Sequence, residues 1–257
     1  MSQSTPETIR PLLDEYLALT GKHLPSLFSG FYLEGSIALG GFNERLSDID
    51  FIALFQREPT PAETETLRNI HAQIEKNWPR WKMSGSYLQP DFTSSLHYHD
   101  GVLTQHGPFT VNSVEGWILK NHGITLLGAA PQSLPIAPNW DIIVRDMKTN
   151  LNTYWASWTR QPDRMLTLLS DWGVQWAVLG VLRQFYSFRE NSIVTKTQAG
   201  EYALKHLPTK WHPLIREAIS IREDGKKSGY LGRIGRMVNA VNFLKFVIET
   251  CNNQRSH

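Results

Sequence analysis

Residues 31–55 read FYLEGSIALGGFNERLSDIDFIALF, and this stretch decides the fold that we predict for the chain. A short apolar segment leads to Gly35-Ser36, a glycine-containing connection follows, and Ser47-Asp48-Ile49-Asp50 then opens an apolar run. This order predicts a short strand, a loop and a second strand. Because alternate residues of a strand project from one face, we expect the carboxylates of Asp48 and Asp50 to point the same way.

Asp48 and Asp50 are the candidate metal ligands. Two parallel carboxylates about 5–7 Å apart on one strand cannot comfortably stay ionised without a cation between them. Hard oxygen ligands suit Mg²⁺, which takes one or two carboxylates and completes its shell with water and substrate phosphates. Upstream, Gly35 lets the backbone approach a ligand closely, and Ser36 offers an amide and a hydroxyl to phosphate oxygens. The alternative is an edge strand with two solvated acids after a turn.

Gly-Ser, a loop and then Ser-Asp-x-Asp on a strand resemble the signature of the nucleotidyltransferase superfamily. The resemblance implies a nucleoside triphosphate, ATP, bound at Gly35, Ser36 and Ser47. It also implies Mg²⁺ on Asp48 and Asp50, which would act as catalytic and metal-binding residues together.

Composition limits the function classes. A chain of 257 residues with 41% hydrophobic and 19% charged residues is globular and can bury a sizeable core. The net charge of +2 is lower than the charge expected of a protein that binds nucleic acid. Cys251 is the single cysteine, which excludes an internal disulfide and a cysteine-based zinc site. The sequence shows no leader and no apolar run of about 18 residues, so we expect a cytoplasmic protein without a membrane partner. We also expect a monomer that has no nucleic-acid partner.

Residues 1–138 predict a small mixed β-sheet domain that binds nucleotide and metal. Strands are expected at 31–33, 49–55, 81–88 and 124–128, and Asp100-Gly101 reads as a hairpin turn. Predicted helices carry Ile9, Leu12, Leu13, Tyr16 and Leu17, then Leu67, Ile70, His71 and Ile74, and finally the run from Asn112 to His122. His97 and His99 could share a strand face and bind a transition metal, although such a pair is more often a polar strand face.

Segment 130–138 contains three prolines and is the predicted linker, and every pattern beyond it is helical. Helices are expected from Asn139 to Trp158, from Pro162 to Phe188 with an interruption near Gly173, from Lys196, and from Leu214 to Ile221. After a second linker, 223–229, a last helix is expected to place Leu231, Ile234, Met237, Val241, Leu244 and Ile248 on one face. Residues 139–257 therefore predict an all-α helical bundle that binds the acceptor, and the fold class is α+β.

Lys196 is the candidate phosphate contact of this second domain. Thr195 and Gln198 match a capping box, which places Lys196 at the first helical position. A lysine there lies beside unsatisfied backbone amides, a position suited to phosphate.

The helical half is similar to the C-terminal domain of the streptomycin/spectinomycin adenylyltransferases. The matching features are Arg183 and Tyr186, Ile193, Lys196 with Ala199-Gly200, Tyr202-Ala-Leu, and Leu207-Pro208. The resemblance covers the chain from about Phe31 to Ile221. It implies Mg²⁺-dependent transfer of an adenylyl group from ATP to a hydroxyl of an aminoglycoside-like small molecule in the cleft between the domains, with Lys196 on the phosphates.

Ser84 departs from the family pattern. The aminoglycoside adenylyltransferases carry apolar–Glu–x–Thr/Ser–apolar on the third strand, where the glutamate is a metal ligand or the base for the acceptor hydroxyl. Aligned here, the pattern places Ser84 at the glutamate position, and a serine hydroxyl has no useful basicity near neutral pH. Either another acid replaces it, with Asp91 and Glu34 the nearest by sequence, or the chemistry is weak or lost.

A polycationic sugar needs carboxylates and aromatic faces in its site. Asp171 and Trp172 are the preferred pair for this role, and Trp155, Trp158, Trp176 and Asp163 are further candidates. The alternative for each tryptophan is a place in the hydrophobic core.

Three functions stay open from the sequence. The first is the aminoglycoside adenylyltransferase. The second has the same fold but another acceptor, such as a lincosamide, a metabolite or a protein side chain. The third is a nucleotide- or ligand-binding relative without catalysis, because Ser84 occupies the glutamate position.

Overall fold

The computed structural model describes residues 4–91, 95–107, 109–225 and 232–253. The chain divides into two compact units, Met1–Pro138 and Asn139–His257. The first unit contains a six-stranded sheet with helices and the second is helical. The predicted α+β fold class is therefore confirmed, whereas what each unit binds stays a prediction.

The sheet of the first unit is mixed. Its strands are β1 (Phe28–Leu33), β2 (Ile49–Phe55), β3 (Met83–Leu88), β4 (Ser95–His99), β5 (Val102–His106) and β6 (Ile124–Leu127), in the order β5-β4-β3-β2-β1-β6. Only the β2–β3 pair is parallel among these strands of the described chain. A parallel pair needs a crossover, and a helix between β2 and β3 provides it.

Four helices accompany the sheet: α1 (Arg10–His23), α2 (Gly35–Ala38), α3 (Pro61–Asn77) and α4 (Val114–His122). A capping box starts α3, because the Thr60 hydroxyl accepts from the Glu63 amide and the Glu63 carboxylate accepts from the Thr60 amide. Apolar residues of α1 and α3 pack on one sheet face in a buried cluster that includes Leu12, Tyr16, Phe31, Phe51, Ile70, Ile74 and Tyr87.

The opposite sheet face carries a smaller cluster of Tyr32, Ile52, Leu54, Leu88, Leu119, Leu134 and Ile136. Two of these residues, Leu134 and Ile136, belong to the segment predicted as a linker. A 3₁₀ turn, Pro131–Ser133, precedes them, and both side chains are buried. The prediction of a simple linker is wrong here, since apolar residues between the prolines gain free energy by packing on the sheet.

Two further predictions for the first unit need correction. The first strand begins at Phe28 rather than at Phe31, and Gly35-Ser36 starts the short helix α2 rather than lying in a loop. The strands β2, β3 and β6, the hairpin at Asp100-Gly101, and α4 with its stop before Gly123 are confirmed.

The second unit is formed by α5 (Trp140–Asn150), α6 (Pro162–Thr167), α7 (Asp171–Glu190), α8 (Lys196–His206), α9 (His212–Asp224) and α10 (Arg233–Asn253). A π-helical turn, Leu151–Trp155, continues α5. The central helix is α7, whose buried apolar side chains share one core with residues of α8, α9 and α10. Gly180 allows the Trp155 ring to lie against α7, because a Cβ there would come within 2.1 Å of Trp155 Cη2.

Sequence patterns misplace two details of the second unit. The interruption predicted near Gly173 lies earlier, where Ser170 caps α7 and its hydroxyl accepts from the Gly173 amide at 3.0 Å. On α10, Ile234 is 71% exposed, so its assignment to the apolar face is wrong, and Arg236 is buried instead. Two carboxylate partners explain this exchange, since Arg236 Nη1 lies 2.8 Å from half-buried Asp171 and 3.3 Å from buried Glu217.

The second linker was predicted at 223–229, but its first two residues are helical. Residues Glu223 and Asp224 still belong to α9, and Gly225 ends that helix in a left-handed conformation. Residues 226–229 and Leu231 lie outside the described residues. Within the described ranges, no helix is long and apolar enough to span a membrane.

Candidate active site

Polar residues replace apolar ones on part of the sheet face opposite α1 and α3. Asp50 of β2 pairs with Ser84 of β3, and Ser86 pairs with His97 of β4. Alternate residues share a face and neighbouring strands lie about 4.8 Å apart, so these side chains form one continuous polar surface.

This polar surface lines a cavity of about 420 Å³ within the first unit. Three acids, Glu34, Asp50 and Glu115, line it together with His97 and His106. Serine and threonine hydroxyls from β3, β4 and the segment before α4 complete its polar wall. The cavity therefore combines carboxylates, imidazoles and hydroxyls, the groups that metal binding and proton transfer require.

Gly35 lies directly against the Asp50 carboxylate. Its φ is +57°, and a Cβ at this position would lie 2.1 Å from Asp50 Oδ2. Only glycine adopts the left-handed conformation cheaply and leaves this space open. The Glu34 amide donates to the Asp50 carbonyl oxygen at 3.0 Å, which ties the start of α2 to β2. The Gly and Asp of the sequence motif are thus brought together by backbone geometry.

The remaining motif residues surround this contact. Ser36 Oγ is buried and makes no hydrogen bond within the part of the chain that the structure describes. The Ser47 hydroxyl accepts from the Asn43 amide at 3.0 Å and closes the connection between α2 and β2. Asp48 precedes the first residue of β2 and is exposed, whereas Asp50 lies within the strand and is half-buried.

Lys82 provides positive charge near Asp48. Its ammonium lies 2.7 Å from Asp100 Oδ1, and this hydrogen bond is the main cause of a raised Lys82 pKa, to which Asp48 adds a smaller electrostatic contribution.

Metal binding by protein ligands alone is not supported. Across the described ranges, no group of three or more His, Cys, Asp or Glu side chains is placed to hold a metal ion. His97 and His99 do share a strand face, and their ring centroids are 6.2 Å apart. Their Nδ1 atoms face serine hydroxyls, at 3.2 Å from Ser86 and 3.0 Å from Ser84. His97 and His99 are therefore part of a polar strand face.

The register of β2 and β3 places Ser84 beside Asp50, where the family alignment puts the glutamate. Of the two acids considered as replacements, Glu34 lines the cavity and is 8% exposed, whereas Asp91 is exposed and lies outside it. Sequence reasoning missed Glu115, which reaches the cavity from the first turn of α4. The Ser113 cap marks the start of α4, but only the packed helix shows that this turn faces the cavity.

The surroundings of His97 disfavour its protonated form. Burial lowers its pKa, and the neighbouring His106 and His99 lower it further, while Glu115 acts in the opposite direction. A neutral imidazole among three carboxylates can accept or donate a hydrogen bond without adding positive charge.

Lys196 occupies the predicted first position of α8. The Thr195 hydroxyl accepts from the Gln198 amide at 3.2 Å, and Gln198 Oε1 accepts from the Thr195 amide at 3.1 Å, so the capping box is confirmed. Lys196 Nζ lies 3.7 Å from the centroid of the Trp176 ring. This ring stacks on Trp172 at a centroid distance of 5.3 Å. An ammonium and two aromatic faces thus form one cluster in the second unit.

The predicted acceptor residues separate into two groups. Trp172 is 50% exposed and can present its ring to a ligand. Trp155 and Trp158 belong to the hydrophobic core, as the alternative interpretation predicts. Asp171 accepts a hydrogen bond from Arg236 through Oδ1. This bond links the start of α7 to α10.

Comparisons with known proteins find similarity to aminoglycoside adenylyltransferases. Residues 150–245 match the family model for the C-terminal domain of aminoglycoside adenylyltransferases. Two aminoglycoside (3'') (9) adenylyltransferases, from Klebsiella pneumoniae and Shigella flexneri, are each 23% identical over 270 aligned residues, covering 91% of this chain and 89% of the relative. The chain resembles the aminoglycoside adenylyltransferases.

A solved structure supports the fold. The crystal structure of a spectinomycin adenyltransferase from Enterococcus faecialis, with ATP and spectinomycin, matches with a TM-score of 0.70 and 14% identity, covering 93% of this chain and 99% of that one. The adenylyltransferase family model itself spans the end of α5 to the middle of α10 and includes Asp171, Trp172 and Lys196. Asp48, Asp50 and Ser84 lie outside it, so for them the comparison rests on the full-length relatives.

Proposed function

We propose that this protein transfers an adenylyl group from ATP to a hydroxyl of an aminoglycoside-like small molecule. The observation that carries the proposal is the contact between Gly35 and the Asp50 carboxylate at the cavity. It occurs in a chain that resembles aminoglycoside adenylyltransferases along most of its length.

The donor set of the first unit suits Mg²⁺. Asp48 and Asp50 would supply carboxylate oxygens, and phosphate and water would complete the coordination that Mg²⁺ prefers. When bound, Mg²⁺ would neutralise triphosphate charge and polarise the phosphorus under attack.

Phosphate binding falls to residues on both units in this proposal. Gly35 has no side chain to exclude a phosphate, and the Ser36 hydroxyl has a hydrogen bond still to make. Ser47 holds the connection that places Asp48. In the second unit, an ammonium over an aromatic ring keeps its charge and donors, so the contact with Trp176 is compatible with a phosphate on Lys196.

For the acceptor we propose Trp172 as an aromatic contact for the protonated amines of the sugar. Asp171 stays a predicted contact, although its Oδ1 atom already accepts a hydrogen bond from Arg236. The expected location of both substrates between the two units also stays a prediction.

A second candidate is a nucleotide-binding protein without transferase activity. Ser84 favours it, because the side chain beside Asp50 lacks the basicity of the family's glutamate.

Incubation with ATP, Mg²⁺ and a panel of aminoglycoside, spectinomycin and lincosamide acceptors tests the proposal. The expected result is an acceptor that gains the mass of one adenylyl group, with release of pyrophosphate and loss of both signals in EDTA. Calorimetry that shows ATP binding, combined with no mass gain on any acceptor, would instead support the nucleotide-binding protein.

A further inference from the structure

One row of side chains crosses three neighbouring strands, and its first two members, Asp50 and Ser84, line the cavity. Asp50 on β2 is opposite Ser84 on β3, and Ser84 Oγ lies 3.0 Å from His99 Nδ1 on β4. Two strand spacings of about 4.8 Å separate the first and last members of the row. The serine thus stands between the predicted metal ligand and an imidazole.

His99 is oriented from its other side by Asp100. The distance between His99 Nε2 and Asp100 Oδ2 is 3.3 Å, and Lys82 Nζ lies 2.7 Å from Asp100 Oδ1. An ionised carboxylate only accepts hydrogen bonds, so Asp100 favours the tautomer with the proton on Nε2. The Nδ1 lone pair then faces Ser84, whose hydroxyl donates to it. Ser84, His99 and Asp100 thus form a hydrogen-bonded chain that can carry a proton away from Ser84.

We infer that His99 is the final acceptor of the proton lost by the substrate hydroxyl, with Ser84 as the relay, in place of the glutamate of related enzymes. The inference rests on the proposed function. The acceptor oxygen attacks the α-phosphorus of ATP and its proton passes to Ser84 Oγ, while the Ser84 proton passes to His99 Nδ1. The bond from the α-phosphorus to the bridging oxygen breaks, and pyrophosphate leaves with that electron pair.

The basic groups that line the cavity are less well placed for this step. His97 faces Ser86 in the neighbouring row, where the β2 residue is Ile52 rather than Asp50. Glu115 approaches from α4, and Glu34 lies at the start of α2. His99, in contrast, lies within hydrogen-bond distance of Ser84, the residue beside Asp50.

A cycle of four proteins tests the inference: the wild type, H99Q, S84E and the S84E/H99Q double variant. A general base contributes about 10²- to 10⁴-fold. We therefore expect H99Q to lower kcat for adenylyl transfer by about 10²-fold or more while the KM for ATP stays unchanged. In the S84E background the new carboxylate takes the proton directly, so adding H99Q should change kcat little.

The matched control is H23Q, which removes an exposed histidine from the last turn of α1. It should keep the kcat of the wild type. His99 is more than half exposed, so H99Q should fold, and its thermal unfolding is compared with that of the wild type.

Four results separate the possibilities. Wild-type kcat in H99Q overturns the inference while the proposed function stands, and so does wild-type kcat in S84A, which removes the relay without changing His99. An equal loss from H99Q with and without S84E assigns His99 a structural role and also overturns it. A wild-type protein that binds ATP but modifies no acceptor contradicts the proposed function itself.

Discussion

The two faces of the sheet in the first unit carry similar residue types but differ in what surrounds them. On the face under α1 and α3, Tyr87 Oη lies 2.5 Å from both Tyr16 Oη and His71 Nε2 in a buried cluster. On the other face, His97 and His99 meet serine hydroxyls beside a cavity. Since strand residues alternate between faces, one position along the chain decides whether a histidine stabilises the fold or is available for chemistry.

Neighbouring residues of β2 make the contrast clearest. Phe51 is fully buried and stacks on Phe31 at a centroid distance of 5.0 Å. Asp50 is half-buried at the cavity. Mutations on the two faces should therefore separate activity from stability, and the following predictions test that separation.

The largest expected effect is on activity and comes from Asp50→Asn. The amide keeps the shape of the side chain but loses the charge that holds the cation, so adenylyl transfer should fall below detection. Thermal unfolding should stay close to that of the wild type. Full transfer activity in this variant, measured by pyrophosphate release, would contradict the metal assignment.

Phe51→Ala tests the opposite face. Deleting a buried aromatic ring leaves a cavity and typically costs about 3–5 kcal/mol. Urea unfolding should show a loss of that size, and any folded fraction should keep its activity per molecule. A variant as stable as the wild type but inactive would remove the distinction between the faces.

Gly35→Ala should affect both properties. The left-handed backbone costs about 1–2 kcal/mol for a residue with a Cβ. The new methyl group would also displace the Asp50 carboxylate, and a shift of about 1 Å at such a group can lower kcat on the order of 10²-fold. Gly225→Ala is the matched control, because Gly225 has a φ of 66° at the end of α9. It should lose stability without losing kcat.

The pH dependence of stability should come from the buried face. Burial lowers the pKa of His71 to about 3, below its usual value of 6.5. As the pH falls below about 6.5, His71 becomes protonated in the unfolded chain but stays neutral in the folded chain. The free energy of unfolding is therefore highest above that pH and decreases towards pH 3. The slope approaches about 1.4 kcal/mol per pH unit. Urea unfolding of the wild type, His71→Gln and His23→Gln near pH 7 and pH 5 should show a reduced slope only in the His71 variant.

Much of this arrangement could be predicted from local sequence. The apolar run after Asp50 predicts β2 with its observed bounds, and the capping box at Thr195 predicts the start of α8. These signals are local, because a strand period or a cap depends on residues within a few positions of each other.

The rest depends on contacts between distant residues. Glu115 joins the cavity only because α4 packs beside the sheet, and His99 meets Ser84 only through the β3–β4 register. Likewise, Arg236 is buried because Asp171 and Glu217 pair with it, which no helical period can reveal. The position of Ser84 beside Asp50 is an exception, because the family pattern on the third strand predicts this contact between distant residues.

The smallest expected effect comes from Trp172→Ala in the second unit, where an exposed and a buried tryptophan can be compared. Trp172 is exposed and stacks on Trp176, whereas Trp155 is buried against Gly180. An exposed cation–π contact is worth about 0.5–1 kcal/mol, so Trp172→Ala should raise the KM for a protonated acceptor by roughly two- to fivefold. Its kcat and thermal unfolding should stay near those of the wild type. Trp155→Ala should instead destabilise the second unit by about 3–5 kcal/mol. If Trp172→Ala left the acceptor KM unchanged, the exposed ring would not contact the acceptor, and the acceptor-binding residues would have to lie elsewhere on the chain.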